Sequence, residues 1–304
     1  MQIPGIHHVT AIAGDAQTNL DFYSGVLGLR LVKRTVNFDD PGTYHLYYGD
    51  AIGTPGSIMT FFPWGGVPQG RRGTGQPVAT AFRAGVGSLP YWISHLRSRG
   101  VEVDGPFERL GEQAIAFSDP DDLRLEVVAS GDGNEKISGF HGVTLSESGY
   151  EATAALLSTT FGYRLTGSEG NRFRYETPGD ALGRAVDLLC QPDARRGSMG
   201  VGTVHHVAFR AETDERQREW RVELSKAHLN VTPILDRNYF HSIYFREPGG
   251  VLFEIATDPP GFAIDEPAET LGQSLRLPSW LERKRQAIEA ILPKLRLPEA
   301  ANAA

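Results

Sequence analysis

Gly5–Ile12 reads GIHHVTAI and Thr203–Arg210 reads TVHHVAFR, a doubled histidine set twice in nearly the same β-prone, apolar surroundings. A third stretch, Val251–Ala256 or VLFEIA, buries a glutamate, Glu254, in an apolar run. A bare carboxylate is costly to bury there unless it meets a cation or strong donors. Two imidazoles and one carboxylate are the ligand set of non-haem Fe(II) sites that keep positions open for oxygen and substrate. A lone strand histidine is usually a satisfied core residue. The duplication of HHV together with the carboxylate is what favours ligation over packing.

Working outward from these stretches, the chain divides into four units beginning near residues 5, 77, 138 and 203, each reading strand, helix, then several strands. In the first, IHHVTAI is a strand and Asp15 caps a helix through Leu20, Tyr23 and Leu27 that stops at Gly28. The second carries a helix bearing Leu89, Trp92, Ile93 and Leu96 that stops at Gly100. The third and fourth carry helices over 152–161 and 214–227. The ends of the second and fourth units align as FSDPDDLRLEVVAS with FREPGGVLFEIATD, which sets Glu126 opposite Glu254. Two polar, glycine-containing linkers, 65–76 and 191–200, lie between units. Ser279 and Glu282 form a capping-box pattern that predicts an amphipathic helix in SWLERKRQAIEAIL. The expected fold class is α+β, with an N-terminal domain over 1–135 and a C-terminal domain over 136–304.

Aligning the unit starts places His8, Ala79, His141 and His206 at one position, and aligning the ends places Thr60, Glu126, roughly Leu189 and Glu254 at another. Strand alternation puts His8 on one face with Ile6 and Thr10, and turns His7 the other way; His205 and His206 behave likewise. Leu252, Glu254 and Ala256 share a face. His7 and His205 are then candidates for supporting or acid–base roles. Glu126 and His141 read as remnants of a second site, because their partner slots hold Ala79 and Leu189.

Composition bounds the partners. The chain has 304 residues, 40% hydrophobic and 22% charged, with a formal net charge of −7. That balance argues against broad attraction to nucleic acid or anionic membrane. No segment approaches the run of about 20 apolar residues that spans a bilayer, and MQIPGIHHVT has no leader pattern. A cytoplasmic protein acting on a small molecule is expected, with homo-oligomerisation left open. Cys190 is the only cysteine, so any metal must be held by nitrogen and oxygen.

The combination of IHHVT, DFYSGVLGLRLVKRTVNFDDPGTYHLYYGD, VHHVAF and GGVLFEI resembles the glyoxalase/bleomycin-resistance/extradiol-dioxygenase superfamily, also called the vicinal oxygen chelate superfamily, over about residues 5–257. Within it the chain looks most like the hydroquinone ring-cleaving dioxygenases. The resemblance implies four βαβββ modules forming two incomplete β-barrels, with modules one and four sharing the functional one. It implies His8, His206 and Glu254 as ligands of Fe(II); the donor set by itself also suits Mn(II), and a zinc site is chemically possible. It further implies Arg237 in LDRNYFHSIYF and Tyr244 as active-site residues, with His7, Thr10 and His205 around the metal. Phe240, Phe245 and Tyr239 are candidate walls of a ring pocket. The implied reaction joins O2 to a small aromatic diol of the hydroquinone type. If units three and four closed together instead, as in catechol extradiol enzymes, His141, His206 and Glu254 would form the triad. Two other functions stay open: a glyoxalase-like isomerase, which requires a fourth protein ligand near Thr60, and a metal-free protein that sequesters an aromatic ligand.

Overall fold

The computed structural model describes residues 1–132 and 134–297. The first module runs β1 (Ile6–Ala13), α1 (Ala16–Leu20), β2 (Arg30–Val36), β3 (Tyr44–Gly49) and β4 (Ile58–Pro63). The second runs β5 (Gln76–Gly85), α2 (Leu89–Ser98), β6 (Asp104–Arg109), β7 (Glu112–Ser118) and β8 (Arg124–Gly131). The third runs β9 (Gly139–Glu147), α3 (Glu151–Ala155), β10 (Arg164–Glu169), β11 (Arg172–Glu176) and β12 (Ala185–Cys190). The fourth runs β13 (Thr203–Ala211), α4 (Asp214–Lys226), β14 (Leu235–Asp236), β15 (Phe240–Arg246) and β16 (Leu252–Pro260). The βαβββ repeat is therefore present four times, in an α+β fold. No helix among the described residues is long and apolar enough to cross a membrane.

Local chemistry sets the helix ends. Asp15 accepts from the Thr18 amide at 2.7 Å, and the Thr213 side chain accepts from the Arg216 amide at 3.2 Å, each satisfying an orphan donor. Gly28 follows the first helix with φ +71°, a left-handed conformation that glycine enters without strain. Both α1 and α3 widen into π-helical turns, Asp21–Val26 and Leu156–Thr160. The predicted C-terminal helix is shorter than its pattern. It spans only Arg285–Ile291 as α5, and no side chain caps it. The capping box does not form, because the helix begins only at Arg285, well past Ser279; the Glu282 carboxylate instead pairs with the Arg285 guanidinium at 2.7 and 2.9 Å.

In every module the first strand lies parallel to the last, as in β1 with β4 and β13 with β16. The modules then join through antiparallel pairs of first strands. β1 pairs with β13 and β5 with β9, giving sheets ordered β14-β15-β16-β13-β1-β4-β3-β2 and β10-β11-β12-β9-β5-β8-β7-β6. Module one is thus united with module four, and module two with module three. Each sheet draws one module from either side of residue 135, and the pairing of units three and four is excluded. One face of each sheet packs on the helices in a core that includes Val9, Ala11, Leu20, Val207, Phe209, Trp220 and Ile255. The two linkers are not loose: Gln69 bridges Val201, Arg71 bridges Ser198 and Thr74 bridges Arg196.

The C-terminal segment floors the other face of the first sheet. Lys33, fully buried, donates to the Phe262 carbonyl at 2.9 Å, to Asp265 at 2.7 Å and to Glu266. A buried ammonium persists only when paired in this way. The anchor seats Phe262 against Tyr47, their ring centroids 5.1 Å apart.

A second buried charge has a pH consequence. Glu147, at the end of β9, lies beside Glu247 and against the backbone of Gly249, where an added Cβ would fall 1.6 Å from its Oε2. Burial first, and then the Glu247 charge, push its carboxyl up to about 8 from 4.5. The folded state keeps a proton between those values that the unfolded chain releases, so stability falls as pH rises through that window. In thermal melts, Glu147→Gln is expected to match the native protein near pH 4 and to melt higher at pH 8 to 9. Parallel melting curves across the whole range contradict this.

Candidate metal centre

β1, β13 and β16 are neighbours, and each delivers one side chain to the same point. His8 Nε2 lies 3.4 Å from Glu254 Oε2, His206 Nε2 lies 2.9 Å from it, and the two nitrogens are 3.2 Å apart. All three residues are buried, Glu254 completely. Its Oε1 accepts from the Ser242 hydroxyl, whereas its buried Oε2 has no hydrogen-bond donor. Metal–nitrogen and metal–oxygen bonds of about 2.0–2.2 Å at right angles set ligand atoms about 3 Å apart. The spacing of the three atoms therefore fits one face of a divalent ion's coordination shell. Among the described residues no other group of His, Cys, Asp and Glu converges in this way.

The doubled histidines work through a distortion that strand alternation does not foresee. Ile6 pairs with Phe209 and His8 with Ala208, so His7 is an extra residue on β1; Thr10 pairs with His206 and Ala11 with Val204, so His205 is an extra residue on β13. Each pair is a β-bulge, which re-aims side chains locally. Ile6 consequently joins Val9 and Ala11 in the helix-facing core, not His8. Nor does His7 point away: its Nδ1 sits 2.9 Å from His8 Nδ1, as His205 Nδ1 sits 2.7 Å from His206 Nδ1. Each such pair shares one proton. With the Nε2 lone pairs turned to Glu254, the proton resides on Nδ1 of His8 and His206, and His7 and His205 accept it.

Electrostatics suit neutral imidazoles around an ionised acid. Burial drives the His7 and His206 imidazolium values below the usual range, and that of His205 to about 3. Burial opposes ionisation of Glu254, but positive charge with hydrogen bonds from His8 and His206 holds its carboxyl well below the usual carboxylate range, the compensation that a bound cation takes over once both imidazoles are neutral.

The equivalent place in the second sheet holds ion pairs. Glu126 is gripped by Arg109 at 2.7 and 3.0 Å, and Asp187 by Arg172 at 2.9 Å and by Arg174 at 2.7 and 3.1 Å. His141 bonds Glu112 at 3.1 Å. Two alignments are corrected here. Ala81 faces Gly142 and Phe82 faces Phe140, so His141 is itself the bulged residue and matches His205; Gly142 holds the slot of His206. The acid of the third module is Asp187, not Leu189, because Asp187 pairs with Thr144.

Beside the three ligand-type atoms opens a cavity of about 450 Å³, a size suited to a small ligand. His205, Tyr244, Arg237 and Phe240 line it. Arg237 lies 5.5 Å from the Tyr244 ring and bonds Asp39 at 3.1 Å. Burial keeps the Tyr244 hydroxyl protonated. Other expected residues stand back. His7 is buried behind His8, Thr10 is turned to the Thr60 hydroxyl at 2.9 Å, Phe245 belongs to the helix-facing core, and Tyr239 is bonded to Asp265. Thr60 is fully engaged by Thr10 and by His45 Nε2 at 2.7 Å, so its slot supplies no fourth ligand. Sequence reasoning missed His45, Tyr47, Phe62 and Trp64, which also line the cavity. The alternation in YHLYYG, with Leu46 and Tyr48 in the core, was the available signal.

The chain matches the model of the Glyoxalase/Bleomycin resistance protein/Dioxygenase superfamily over residues 5–127 and 140–255. It is 49% identical to MhqO of Bacillus subtilis (strain 168), which is provisionally named a ring-cleaving dioxygenase, over 95% of this chain and 96% of that one. It is 34% identical to the chlorohydroquinone/hydroquinone 1,2-dioxygenase of Sphingobium indicum, over 93% and 95%. A crystal structure of a provisionally assigned dioxygenase from Bacillus subtilis superposes with a TM-score of 0.94 at 47% identity, covering 98% of this chain and 99% of that one. Glyoxalase I from Zea mays shares the fold at 14% identity, with a TM-score of 0.65 over 84% of this chain and 92% of that one. The chain belongs to the glyoxalase/bleomycin-resistance/dioxygenase superfamily.

Proposed function

We propose that this protein is a cytoplasmic, non-haem Fe(II)-dependent dioxygenase that cleaves the ring of a hydroquinone-type diol with O2. The observation that carries the reading is the unpartnered Glu254 Oε2 facing two imidazole nitrogens at the base of an aromatic-lined cavity. Three lone pairs brought together in a buried site repel one another until a cation binds them. Nitrogen and oxygen donors suit Fe(II), with Mn(II) the alternative. The names of the relatives support ring cleavage as the reaction.

When bound by His8, His206 and Glu254, the metal supplies a Lewis acid for a phenolic oxygen and a redox centre for dioxygen. The remaining work falls to the chain. Ser242 fixes the Glu254 carboxylate from one side, and His7 and His205 fix the two imidazoles through their Nδ1 atoms. His205, neutral and open to the cavity, carries its proton on Nε2 because its Nδ1 accepts from His206, and donates a hydrogen bond there to a substrate oxygen. Tyr244 donates its hydroxyl hydrogen, and the Arg237 charge steadies developing oxyanion character. The aromatic walls hold the ring and exclude water. The isomerase reading needs a fourth ligand where Thr60 is already tied up, and a metal-free binder would leave Glu254 without a counter-charge.

Iron-loaded protein mixed with hydroquinone is expected to consume one O2 per ring cleaved, followed with an oxygen electrode and by product absorbance; no uptake across a panel of substituted hydroquinones contradicts the reading. His205→Asn is expected to retain its iron while kcat drops about 10²–10³-fold, the usual scale for a lost hydrogen-bond donor to developing oxyanion charge. Unchanged turnover would remove His205 from the groups that stabilise the substrate oxygen.

A further inference from the structure

Opposite the ligand strands, β3 turns His45 and Tyr47 toward the cavity. Strand order places β4 between β1 and β3, so β3 stands two strand spacings, about 10 Å, from the strand that carries His8. His45 is clamped in place. Its ring lies 4.0 Å from that of Tyr47 and 4.3 Å from that of Phe62. Its Nε2 is 2.7 Å from Thr60 Oγ1, and its Nδ1 is 2.8 Å from the Tyr47 hydroxyl oxygen. Thr60 Oγ1 continues the row to Thr10 Oγ1 at 2.9 Å. Burial keeps both His45 and Tyr47 uncharged.

A row of neutral hydroxyls around one neutral imidazole can run in either direction. In one, Tyr47 donates to His45 Nδ1, His45 donates through Nε2 to Thr60, and the Tyr47 oxygen accepts from a hydroxyl in the cavity. In the other, Thr60 donates to Nε2, the proton of His45 sits on Nδ1 and is donated to Tyr47, and the Tyr47 hydrogen turns to an acceptor in the cavity. The Tyr47 hydroxyl can therefore serve an oxygen that is a hydroxyl or one that has become a carbonyl, with no charge created. Tyr244 and Arg237 do not duplicate this, since Tyr244 packs edge-on against His206 at 5.8 Å, at the ligand end. A ring with one oxygen at the ligand end of this cavity, which Phe62 and Phe240 also line, would extend its para substituent away from β1 and toward β3.

We propose that the Tyr47 hydroxyl, positioned by His45, is the subsite for the second oxygen of a para-dihydroxylated ring and selects such diols over simple phenols. This rests on the ring-cleavage reading of the same cavity. The test is anaerobic binding to iron-loaded protein, where no turnover occurs, with hydroquinone, 4-methoxyphenol and phenol as probes. The native protein is expected to hold hydroquinone about tenfold more tightly than phenol, the scale of one hydrogen bond. Tyr47→Phe should bring that ratio to near one while leaving the phenol Kd unchanged. His45→Leu should do the same and His45→Gln, which keeps a donor and an acceptor, should restore part of the preference; 4-methoxyphenol, able only to accept, should fall between the other two probes. Ring cleavage together with an unaltered hydroquinone-to-phenol ratio in Tyr47→Phe overturns the subsite alone. A native protein that neither binds hydroquinone nor consumes oxygen with it overturns the ring-cleavage reading, and the subsite with it.

Discussion

Three lone-pair atoms held about 3 Å apart in a water-poor pocket are unstable company without a positive charge between them. That constraint organises the first sheet. Glu254 is fully buried on a strand whose neighbours are apolar, and its Oε2 faces His8 and His206 with no donor of its own. The sheet brings the three together because modules one and four pair through their first strands, β1 and β13, with β16 alongside. Ligands some 200 residues apart in sequence thereby become cross-strand neighbours.

The second sheet serves as an internal control written into the same chain. It repeats the strand order and the bulged first strands, yet the slots of the two histidines hold Ala79 and Gly142, and the acids Glu126 and Asp187 are neutralised by arginines. Both sheets obey one rule, that a buried carboxylate must be compensated. One does so with guanidinium groups that close the space. The other leaves a face of ligand atoms and a cavity beside it.

Much of this was legible in the residues. The repeat and the helix caps at Asp15 and Gly28 follow from spacing and pattern, since local hydrogen bonding and period-two alternation are short-range properties; the triad of His8, His206 and Glu254 was expected from the doubled histidines and the resemblance, with His141 left open, and it took the long-range pairing of β1 with β13 to decide it. What escaped was whatever depended on register. Alternation assigned His7 and His8 to opposite faces, but an extra residue on each first strand places both rings side by side. A one-residue shift moved the slot of the third module from His141 to Gly142, and its acid lies two residues before Leu189, at Asp187. His45 and Tyr47 gave only the ordinary alternation of a half-buried strand, and the buried Lys33 anchor depends on a C-terminal segment that returns from more than 200 residues away.

The most direct measurement is the iron content of protein loaded under reducing conditions, determined by elemental analysis for the native chain and for His8→Ala. The account predicts one equivalent per chain in the native protein, none added by the second sheet, and less than about a tenth of an equivalent in the variant, because losing one of three ligands from a facial site removes a large share of its affinity. Equal iron in the two proteins, or two equivalents in the native one, would contradict it.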